Sequence, residues 1–356
     1  MTGETVIICP EIATGGVGDY TRRLLENLPG DAALRLIIPS RGTRPMSSFE
    51  RYRVDETDGS VRDLCGRLPD RGRVLLQYSA YGFDRHGYPR KLIKALLNWK
   101  KTSSGILAIM FHEIWGFWPI WNKNRAMQQL HRRHLRRLLR VADAVFTSTA
   151  SQAAHLTALS PRCAVQVLPV GSNIRRTRES EEKRETGLAV LFGLQSSRLR
   201  TLEQMHRGLK ALGAAGKIRK IVTVGGGWSR SGDDDEAALL TRLDLTEGFE
   251  QRAALPEEKI SELLMAGEFG ISAQDELSIT KSSTFMAYAA HGMNIISACA
   301  GASKPEPLSW LTSPDELLGG VTQAELATRG TTLREWQERT AAWPVIGEKV
   351  ARALEL

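Results

Sequence analysis

The sequence lacks the features that would place the protein in or across a membrane. Among its 356 residues, no apolar run approaches the roughly 20 residues that span a bilayer. The first residues also lack the basic and then apolar pattern of a secretory signal. We therefore expect a cytoplasmic protein.

Cysteine is scarce and widely spaced. The four residues, Cys9, Cys65, Cys163 and Cys299, form no CxxC pair and do not have the spacing of metal ligands. We expect buried free thiols, and no metal site is predicted. Internal repeats are also absent.

The composition is that of a folded protein with an anionic partner. Hydrophobic residues make up 42% of the chain and charged residues 25%, which is ordinary for a globular protein. The length allows two domains, each with its own core. A net charge of +8 favours a nucleotide, a phospholipid surface or nucleic acid as partner, and charge alone does not choose among them.

The stretch from residue 5 to residue 28 predicts a strand, a glycine loop and a helix. Val6, Ile7 and Ile8 form a β-branched apolar run, and apolar residues recur at helical spacing after Gly18. Glycines at such a junction let the backbone approach a ligand, and the helix start offers free N–H groups to an anion. The alternative is a simple tight turn. The pattern is not the G-x-G-x-x-G dinucleotide fingerprint.

Apolar segments alternate with helical or polar segments along most of the chain, which predicts parallel sheets covered by helices. We expect an α/β protein with two Rossmann-like, doubly wound domains facing a central cleft. The first domain is predicted over residues 1–174 and the second over residues 187–335. Between them, residues 175–186 are highly charged and predict a linker. Residues 336–356 have a helical pattern and can cross back to the first domain.

His112 and Glu113 follow an apolar segment at residues 106–111, which is predicted to be a strand. Ligands of doubly wound sheets bind at the carboxyl ends of the strands, so these two residues are candidate catalytic groups. The alternative is that His112 is a structural residue.

Several motifs together resemble the GT-B glycosyltransferases, in particular the large retaining family that uses nucleotide sugars. They are GGVGDYTRRLLENL after the first strand, QYSAYGFDRHGYP at 77–89, FHEIWG at 111–116, ADAVFTSTASQAAHL at 142–156, and LPVGSNI before the linker. The resemblance implies an active site between the domains and a donor held mainly by the second. It also implies an acceptor held mainly by the first domain, and no metal requirement.

The resemblance assigns roles to residues of the first domain. Gly16 and Gly18 would lie in the loop that approaches the donor phosphates and the acceptor, and His112 would lie near the transferred sugar. Gly15, Asp19 and Tyr81 are expected on the acceptor side.

The second domain departs from the family pattern. Ile279 and Ala287 stand where the family has two glutamates that hold the donor sugar and the ribose. Glu276 or Asp275 could replace one of these carboxylates, and Glu276 is kept as a candidate catalytic residue. Lys281, Ser282 and Ser283, before a predicted helix, are candidates for the donor diphosphate. The alternative is an N-cap at Ser282 or Ser283 beside a solvated lysine.

Three further donor-binding candidates follow the first strand of the second domain. The family commonly has an arginine and a lysine there to neutralise the phosphates. This chain offers Gly193 and either Arg198 or Arg200. A charge near a helix start is otherwise usually solvated.

A basic and aromatic stretch predicts contact with an anionic membrane. Rings and arginines are typical of a lipid headgroup region, and the residues are Trp115, Trp118, Arg132, Arg133, Arg136 and Arg137. The alternative is an ordinary amphipathic helix that buries Leu130, Leu135, Leu138 and Leu139. No nucleic-acid partner is predicted, because no recognition motif accompanies the charge.

We therefore expect a glycosyltransferase that moves a sugar from a nucleotide diphosphate sugar, used as co-substrate, to a carbohydrate or lipid-linked glycan. It is expected in the cytoplasm, with peripheral contact to the inner face of the membrane. One alternative is a catalytically silent member that serves as a glycan- or nucleotide-binding partner subunit, and the missing glutamates favour it. Another is a different enzyme class on the same frame, such as a nucleotide-sugar epimerase.

Overall fold

The structure is a computed structural model that describes residues 4–12, 15–29, 33–39, 49–114, 124–177, 184–227 and 229–356. The chain divides into two compact units. The first comprises Met1–Pro169 together with Trp343–Leu356, and the second comprises Val170–Ala342.

The first unit is built on a parallel sheet, which has seven strands within the described residues. In chain order the strands are Thr5–Ile8 (β1), Leu34–Pro39 (β2), Arg53–Thr57 (β3), Arg73–Ser79 (β4), Ile106–Glu113 (β5), Ala144–Thr147 (β6) and Val165–Val167 (β7). Their order across the sheet is β3-β2-β1-β4-β5-β6-β7. β1 is buried along its whole length, because helices cover the sheet.

The helices of the first unit follow its strands. They are Gly16–Leu25 (α1), Val61–Arg67 (α2), Ala80–Phe83 (α3), Arg90–Thr102 (α4), Asn124–Val141 (α5) and Ala150–Leu159 (α6). α4 and α5 pack side by side, and Leu96, Leu135 and Leu138 belong to the buried core. These apolar residues recur at helical spacing, so each helix buries one face and leaves its charged residues exposed.

The second unit repeats the plan with a five-stranded parallel sheet among the described residues. The strands are Glu185–Phe192 (β8), Lys220–Val224 (β9), Phe249–Arg252 (β10), Gly267–Ser272 (β11) and Asn294–Ser297 (β12). Their order is β10-β9-β8-β11-β12. The helices are Gln195–Ala214 (α7), Arg230–Thr241 (α8), Glu257–Ala266 (α9), Ser283–Ala290 (α10), Pro314–Leu318 (α11) and Gln323–Thr340 (α12). The structure therefore has the predicted fold class, with two parallel, doubly wound sheets.

The last helix, Trp343–Leu354 (α13), belongs to the first unit and packs against α1. Its Gly347 lies against the backbone of Asn27 so closely that a Cβ there would overlap the Asn27 carbonyl oxygen. The chain thus returns to its first unit at Trp343, whereas the sequence pattern placed the start of this segment at residue 336. Residues 336–340 instead belong to α12 in the second unit.

The division between the two units falls before the expected linker at residues 175–186. The second unit begins at Val170. Within it the Arg175 N–H donates to Glu257, the Thr177 N–H donates to Ser261, and β8 starts at Glu185. Residues 178–183 lie outside the described residues.

The cysteines are free, as predicted, but only partly buried. Cys9 is buried, whereas Cys65, Cys163 and Cys299 are half-buried. Within the described ranges, no helix has the length and apolar content needed to cross a bilayer.

Candidate functional site

Each sheet has one point at which the order of its strands reverses. In the first unit it lies between β1 and β4, and in the second between β8 and β11. Doubly wound sheets bind ligands at the carboxyl ends of the two strands that flank such a point. The loops after these four strands are therefore the candidate sites, and most of the predicted residues lie in them.

The glycine loop of the first unit leads directly into α1. Gly15 is the N-cap residue with a φ of 103°, a conformation that favours glycine, and it brings no side-chain cap to the helix. A Cβ at Gly15 would overlap the Glu11 carboxylate, whereas a Cβ at Gly16 would meet nothing within 4 Å. Gly18 is buried, with the Glu11 carbonyl oxygen 3.3 Å from where its Cβ would lie. The start of α1 thus combines exposed backbone at Gly16 with a dipole that favours an anion.

The two other acceptor-side candidates have different surroundings. Asp19 is paired with Arg22 at 2.6 Å in the first turns of α1, so its carboxylate is already partly neutralised. Tyr81 lies on α3, directly after β4, and is 42% exposed. Tyr81 therefore lies beside the point of strand reversal with much of its ring accessible.

His112 lies inside β5 and not after it, because the strand continues to Glu113. The pairing with β4 shifts from Tyr78–Phe111 to Ser79–Glu113, which leaves His112 without an opposing residue. Such a bulge turns a side chain away from the regular alternation of the strand. The imidazole is buried, and its Nε2 lies 2.7 Å from Gln77 Oε1 on β4. Because an amide oxygen only accepts, His112 Nε2–H is the donor.

Two buried polar groups beside His112 have no hydrogen-bond partner among the described residues. They are the Nε2 of Gln77 and the hydroxyl of Tyr20. The Tyr20 ring meets His112 edge to face at 4.9 Å and meets Trp343 of α13 at 5.2 Å. Burial raises the pKa of Tyr20. An unsatisfied buried donor costs about 1–3 kcal/mol, so these groups are typical of a site that takes a polar ligand.

Glu113 is brought to the same edge by the bulge. Its Oε2 accepts a hydrogen bond of 3.0 Å from the Ser79 hydroxyl, at the end of the neighbouring strand. The carboxylate is exposed. The first unit thus places His112 and Glu113 at the end of β5, with Gln77 and Ser79 as their partners at the end of the adjacent strand β4.

Gly193 in the second unit is held in a tight junction between two loops. Its φ is 139°, its N–H donates to the Val224 carbonyl oxygen, and a Cβ would lie 3.3 Å from Thr284. Gly225, after β9, is so close that a Cβ there would overlap the Gly193 carbonyl oxygen. Gly193 therefore allows the loops after β8 and β9 to pack backbone against backbone.

Arg198 is buried and forms an ion pair inside the second unit. Its guanidinium forms a two-pronged pair with Glu236 of α8, at 3.0 Å from Nε to Oε1 and 2.9 Å from Nη2 to Oε2. Its Nη1 donates to the Gly193 carbonyl oxygen at 2.7 Å. The side chains of Arg198 and Glu236 are 3% and 0% exposed. This pairing occupies the Arg198 guanidinium, whereas Arg200 is exposed on α7.

The loop after β11 carries the other donor candidates. Lys281 is exposed at the end of a short 3-10 turn, Ile279–Lys281. Ser282 is the N-cap of α10, and its hydroxyl accepts from the Phe285 N–H at 3.2 Å. Ser282 thus has the N-cap role that was the alternative interpretation of the sequence. Ser283 is the first residue of α10.

Glu276 is paired with Lys304, in the loop after β12, at 3.1 Å. This pair joins the loops that follow two neighbouring strands, and both side chains remain partly exposed. Exposed pairs of this kind contribute little stability, so the pair leaves Glu276 able to exchange its partner for a ligand.

Ile279 and Ala287 occupy the core. They are 1% and 0% exposed. At the two positions where the family resemblance expects donor-binding glutamates, the chain therefore has apolar packing. Among the described residues, no cluster of three or more His, Cys, Asp or Glu side chains is placed to hold a metal ion.

The basic helix α5 has a buried apolar face and exposed arginines. Leu135, Leu138 and Leu139 are buried as the amphipathic alternative requires, but Leu130 is 39% exposed. Of the predicted membrane-contact arginines, three are exposed and Arg132 is half-buried; the exposed ones are Arg133, Arg136 and Arg137. Trp115 and Trp118 lie outside the described residues.

Sequence reasoning missed Gln77, Tyr20 and Glu236. Gln77 is a polar residue inside an apolar strand, a signal that was available but weak. Tyr20 looks like an ordinary apolar position of α1. Glu236 lies 38 positions after Arg198, so only the fold brings them together.

Comparison with known proteins identifies the fold of the chain but no relative by sequence. No protein-family model matches the chain, and no curated protein matches it in sequence. Among solved structures, sucrose-phosphate synthase from Thermosynechococcus elongatus is similar with a TM-score of 0.65 and 12% identity, covering 98% of each chain. An alpha-glucosyltransferase in complex with UDP and a 13-mer DNA containing an HMU base has a TM-score of 0.61 and 10% identity, covering 99% of this chain and 100% of its own.

A third similar structure is from Listeria monocytogenes and is assigned as a UDP-N-acetylglucosamine 2-epimerase. It has a TM-score of 0.55 and 12% identity, and the match covers 100% of this chain and 96% of the other. These full-length similarities show that the chain has the GT-B fold, as its motifs predicted.

Proposed function

We propose that the protein is a glycosyltransferase that moves a sugar from a nucleotide diphosphate sugar to a carbohydrate or lipid-linked glycan, with retention at the anomeric carbon and without a metal. The observation that supports this most is the similarity of nearly the whole chain to glycosyltransferases such as sucrose-phosphate synthase. One of the similar enzymes was solved with UDP, which supports a nucleotide donor. Retention and metal independence come from the family resemblance.

The residues in this proposal have separate tasks. The start of α1, with Gly16 and Gly18, offers N–H groups to the phosphates or to acceptor hydroxyls. His112 lies near the transferred sugar, and Gln77 fixes which of its ring nitrogens carries the proton. Lys281 stabilises the negative charge that develops on the departing diphosphate, with the start of α10 beside it.

A binding screen tests the donor. The purified protein is titrated in a calorimeter with nucleoside diphosphates and common nucleotide sugars, once with Mg²⁺ and once with EDTA. Selective binding of one nucleotide sugar in EDTA supports the proposal and identifies the donor class. Binding that requires Mg²⁺, or no binding of any nucleotide sugar, contradicts it.

Two observations favour other functions of the same fold. The buried Ile279 and Ala287 favour a silent partner subunit that binds a nucleotide or glycan without reaction. The similarity to the Listeria structure favours an epimerase. Product analysis separates the three: a transferase forms a new glycoside only with acceptor, an epimerase isomerises the nucleotide sugar alone, and a silent subunit does neither. DNA belongs in the acceptor panel because one similar enzyme was solved with DNA.

Peripheral contact with an anionic membrane is part of the proposal for a lipid-linked acceptor. It is supported by the exposed Arg133, Arg136 and Arg137 on α5. Replacing these three arginines with glutamine should release the protein from vesicles that contain phosphatidylglycerol. Unchanged binding of the triple variant would contradict the membrane contact.

A further inference from the structure

A groove of about 560 Å³ lies between α4 and α5 on the first unit. It is lined by one basic face of each helix, with half-buried Leu97 and Val141 between them. The cationic lining residues are Arg90, Lys94, Lys101, Arg137 and Arg140. No aspartate or glutamate is among the described residues that line it. The volume is in the range of ordinary ligand sites, which runs from about 300 to 1,000 Å³.

Among the residues that the structure describes, the cations of the groove have no paired counter-charge. None of the five forms an ion pair with another described residue. The neighbouring Lys100, in contrast, is paired with Asp143 at 2.7 Å. The charges therefore repel one another until an external anion binds.

The spacing of the cations fits a ligand with more than one negative group. Arg90, Lys94 and Lys101 recur along one face of α4, and Arg90 and Lys101 are separated by about 16 Å of helix. Arg137 and Arg140 line the opposite wall from α5. Charges on both walls hold an anion between them, whereas charges on one helix only attract it to a surface.

His134 of α5 reports the same positive potential. It also lines the groove, and its Nδ1 lies 2.5 Å from the Tyr88 hydroxyl. Burial lowers the pKa of His134, and the nearby Arg137 and Arg90 lower it further.

We propose that the α4/α5 groove is a binding site for clustered phosphate groups, supplied either by an anionic lipid headgroup or by a soluble phosphorylated molecule. Phosphates match the donors, since each guanidinium and ammonium group forms charge-assisted hydrogen bonds with phosphate oxygens. The apolar strip of Leu97 and Val141 gives room for the carbon skeleton that carries the phosphates. The site does not depend on the proposed transferase reaction.

The test compares two variants with the same loss of charge. The groove variant is Lys94→Gln/Lys101→Gln, which leaves every arginine of α5 in place. The control variant is Arg62→Gln/Lys91→Gln, in which exposed cations of α2 and α4 that do not line the groove are replaced. Equal thermal stability of both variants and the parent protein establishes that each is folded.

Two probes identify the source of the phosphate. The first is myo-inositol hexakisphosphate in a calorimetric titration, and the second is co-flotation with vesicles of phosphatidylcholine with or without phosphatidylglycerol. We expect the groove variant to bind at least one probe about tenfold more weakly than the control variant does. If the groove variant loses affinity only for hexakisphosphate, the ligand is a soluble molecule. If it loses affinity only for anionic vesicles, the ligand is a lipid headgroup.

Two results would overturn the proposal. In one, the groove variant and the control variant lose affinity for the probes to the same extent, which would show that a diffuse basic surface binds the phosphates. In the other, the parent protein binds neither probe at low salt.

Discussion

The buried pair of Arg198 and Glu236 provides the sharpest test of how the second unit is built. Both side chains are almost fully buried, and each nitrogen of the guanidinium donates a hydrogen bond of 2.7–3.0 Å. Replacing Arg198 with methionine keeps much of its volume but leaves the Glu236 carboxylate buried and unpaired. Removing one partner of a buried ion pair costs about 3–5 kcal/mol, and loss of the donor to the Gly193 carbonyl oxygen adds about 1 kcal/mol.

We therefore expect Arg198→Met to lower the free energy of unfolding of the second unit by about 5 kcal/mol. The double variant Arg198→Met/Glu236→Leu should recover most of this loss, because two apolar side chains of similar volume replace the pair. Urea unfolding followed by circular dichroism measures both effects, and the double-mutant cycle gives the coupling between the residues. Arg200→Met is the matched control, since an exposed residue of the same helix should change stability by less than about 0.5 kcal/mol.

The same variants separate a structural role from a phosphate-binding role. If Arg198 is structural, the double variant keeps the parent affinity for whichever nucleotide binds the protein. A stable double variant that binds the nucleotide more than about tenfold more weakly would refute the reasoning. An Arg198→Met variant as stable as the parent would refute it too, by showing that the pair contributes nothing.

Substitutions at three other residues test separate parts of the molecule. Lys281→Ala should weaken binding of the nucleotide diphosphate by about tenfold in calorimetry, because it removes a charge-assisted contact. The control Lys259→Ala, on α9, should leave the affinity unchanged. Equal affinities of the two variants for the nucleotide would exclude the contact. His112→Asn should lower kcat about 100-fold or more and change donor affinity little, if the imidazole acts at the transferred sugar, and an unchanged kcat would assign it a structural role. Burial lowers the pKa of His131 from 6.5 to about 4. Between pH 6.5 and pH 4, His131 is protonated in the unfolded chain but neutral in the folded protein. The free energy of unfolding should therefore fall by up to about 3 kcal/mol for this residue as the pH is lowered from 6.5 to 4. Urea unfolding at several pH values should show a flatter profile for His131→Gln, and an identical profile would contradict the assignment.

Strands inside the two sheets are rich in apolar residues, which makes them predictable from the sequence. β1, β4 and β11 lie inside their sheets and are almost fully buried, so most of their residues are apolar, with Gln77 in β4 and Glu268 in β11 among the exceptions. β3 and β10 were not predicted. Each lies at the edge of its sheet and carries charged residues, RVDET and FEQR. Edge strands need charge to discourage pairing with other chains, and this charge hides them from a search for apolar runs.

The candidate residues could be predicted where the local sequence alone determines the geometry. The glycines before α1 are an example, because a strand, a loop and a helix within one short stretch define their place. The position of His112 could be predicted only in part. Its place at the carboxyl end of a strand follows from the sequence, but the bulge that turns its side chain depends on the register with β4. Arg198 could not be assigned, because its partner Glu236 comes from a different helix.

The second unit differs from the family pattern at two positions that lie in its core. Ile279 and Ala287 are fully packed, so the apolar residues that stand in place of two glutamates add to the stability of the loop and of α10. The backbone around them is also anchored, since the Val170 N–H donates to the Thr280 carbonyl oxygen and Ser282 caps the helix. A donor bound at this loop would therefore have to be held by the polar groups on its surface, which include Asp275, Glu276, Lys281 and the backbone. Under the proposed function, Lys281 is the residue expected to contact the diphosphate and few groups remain to select the sugar, so the nucleotide should contribute most of the donor affinity.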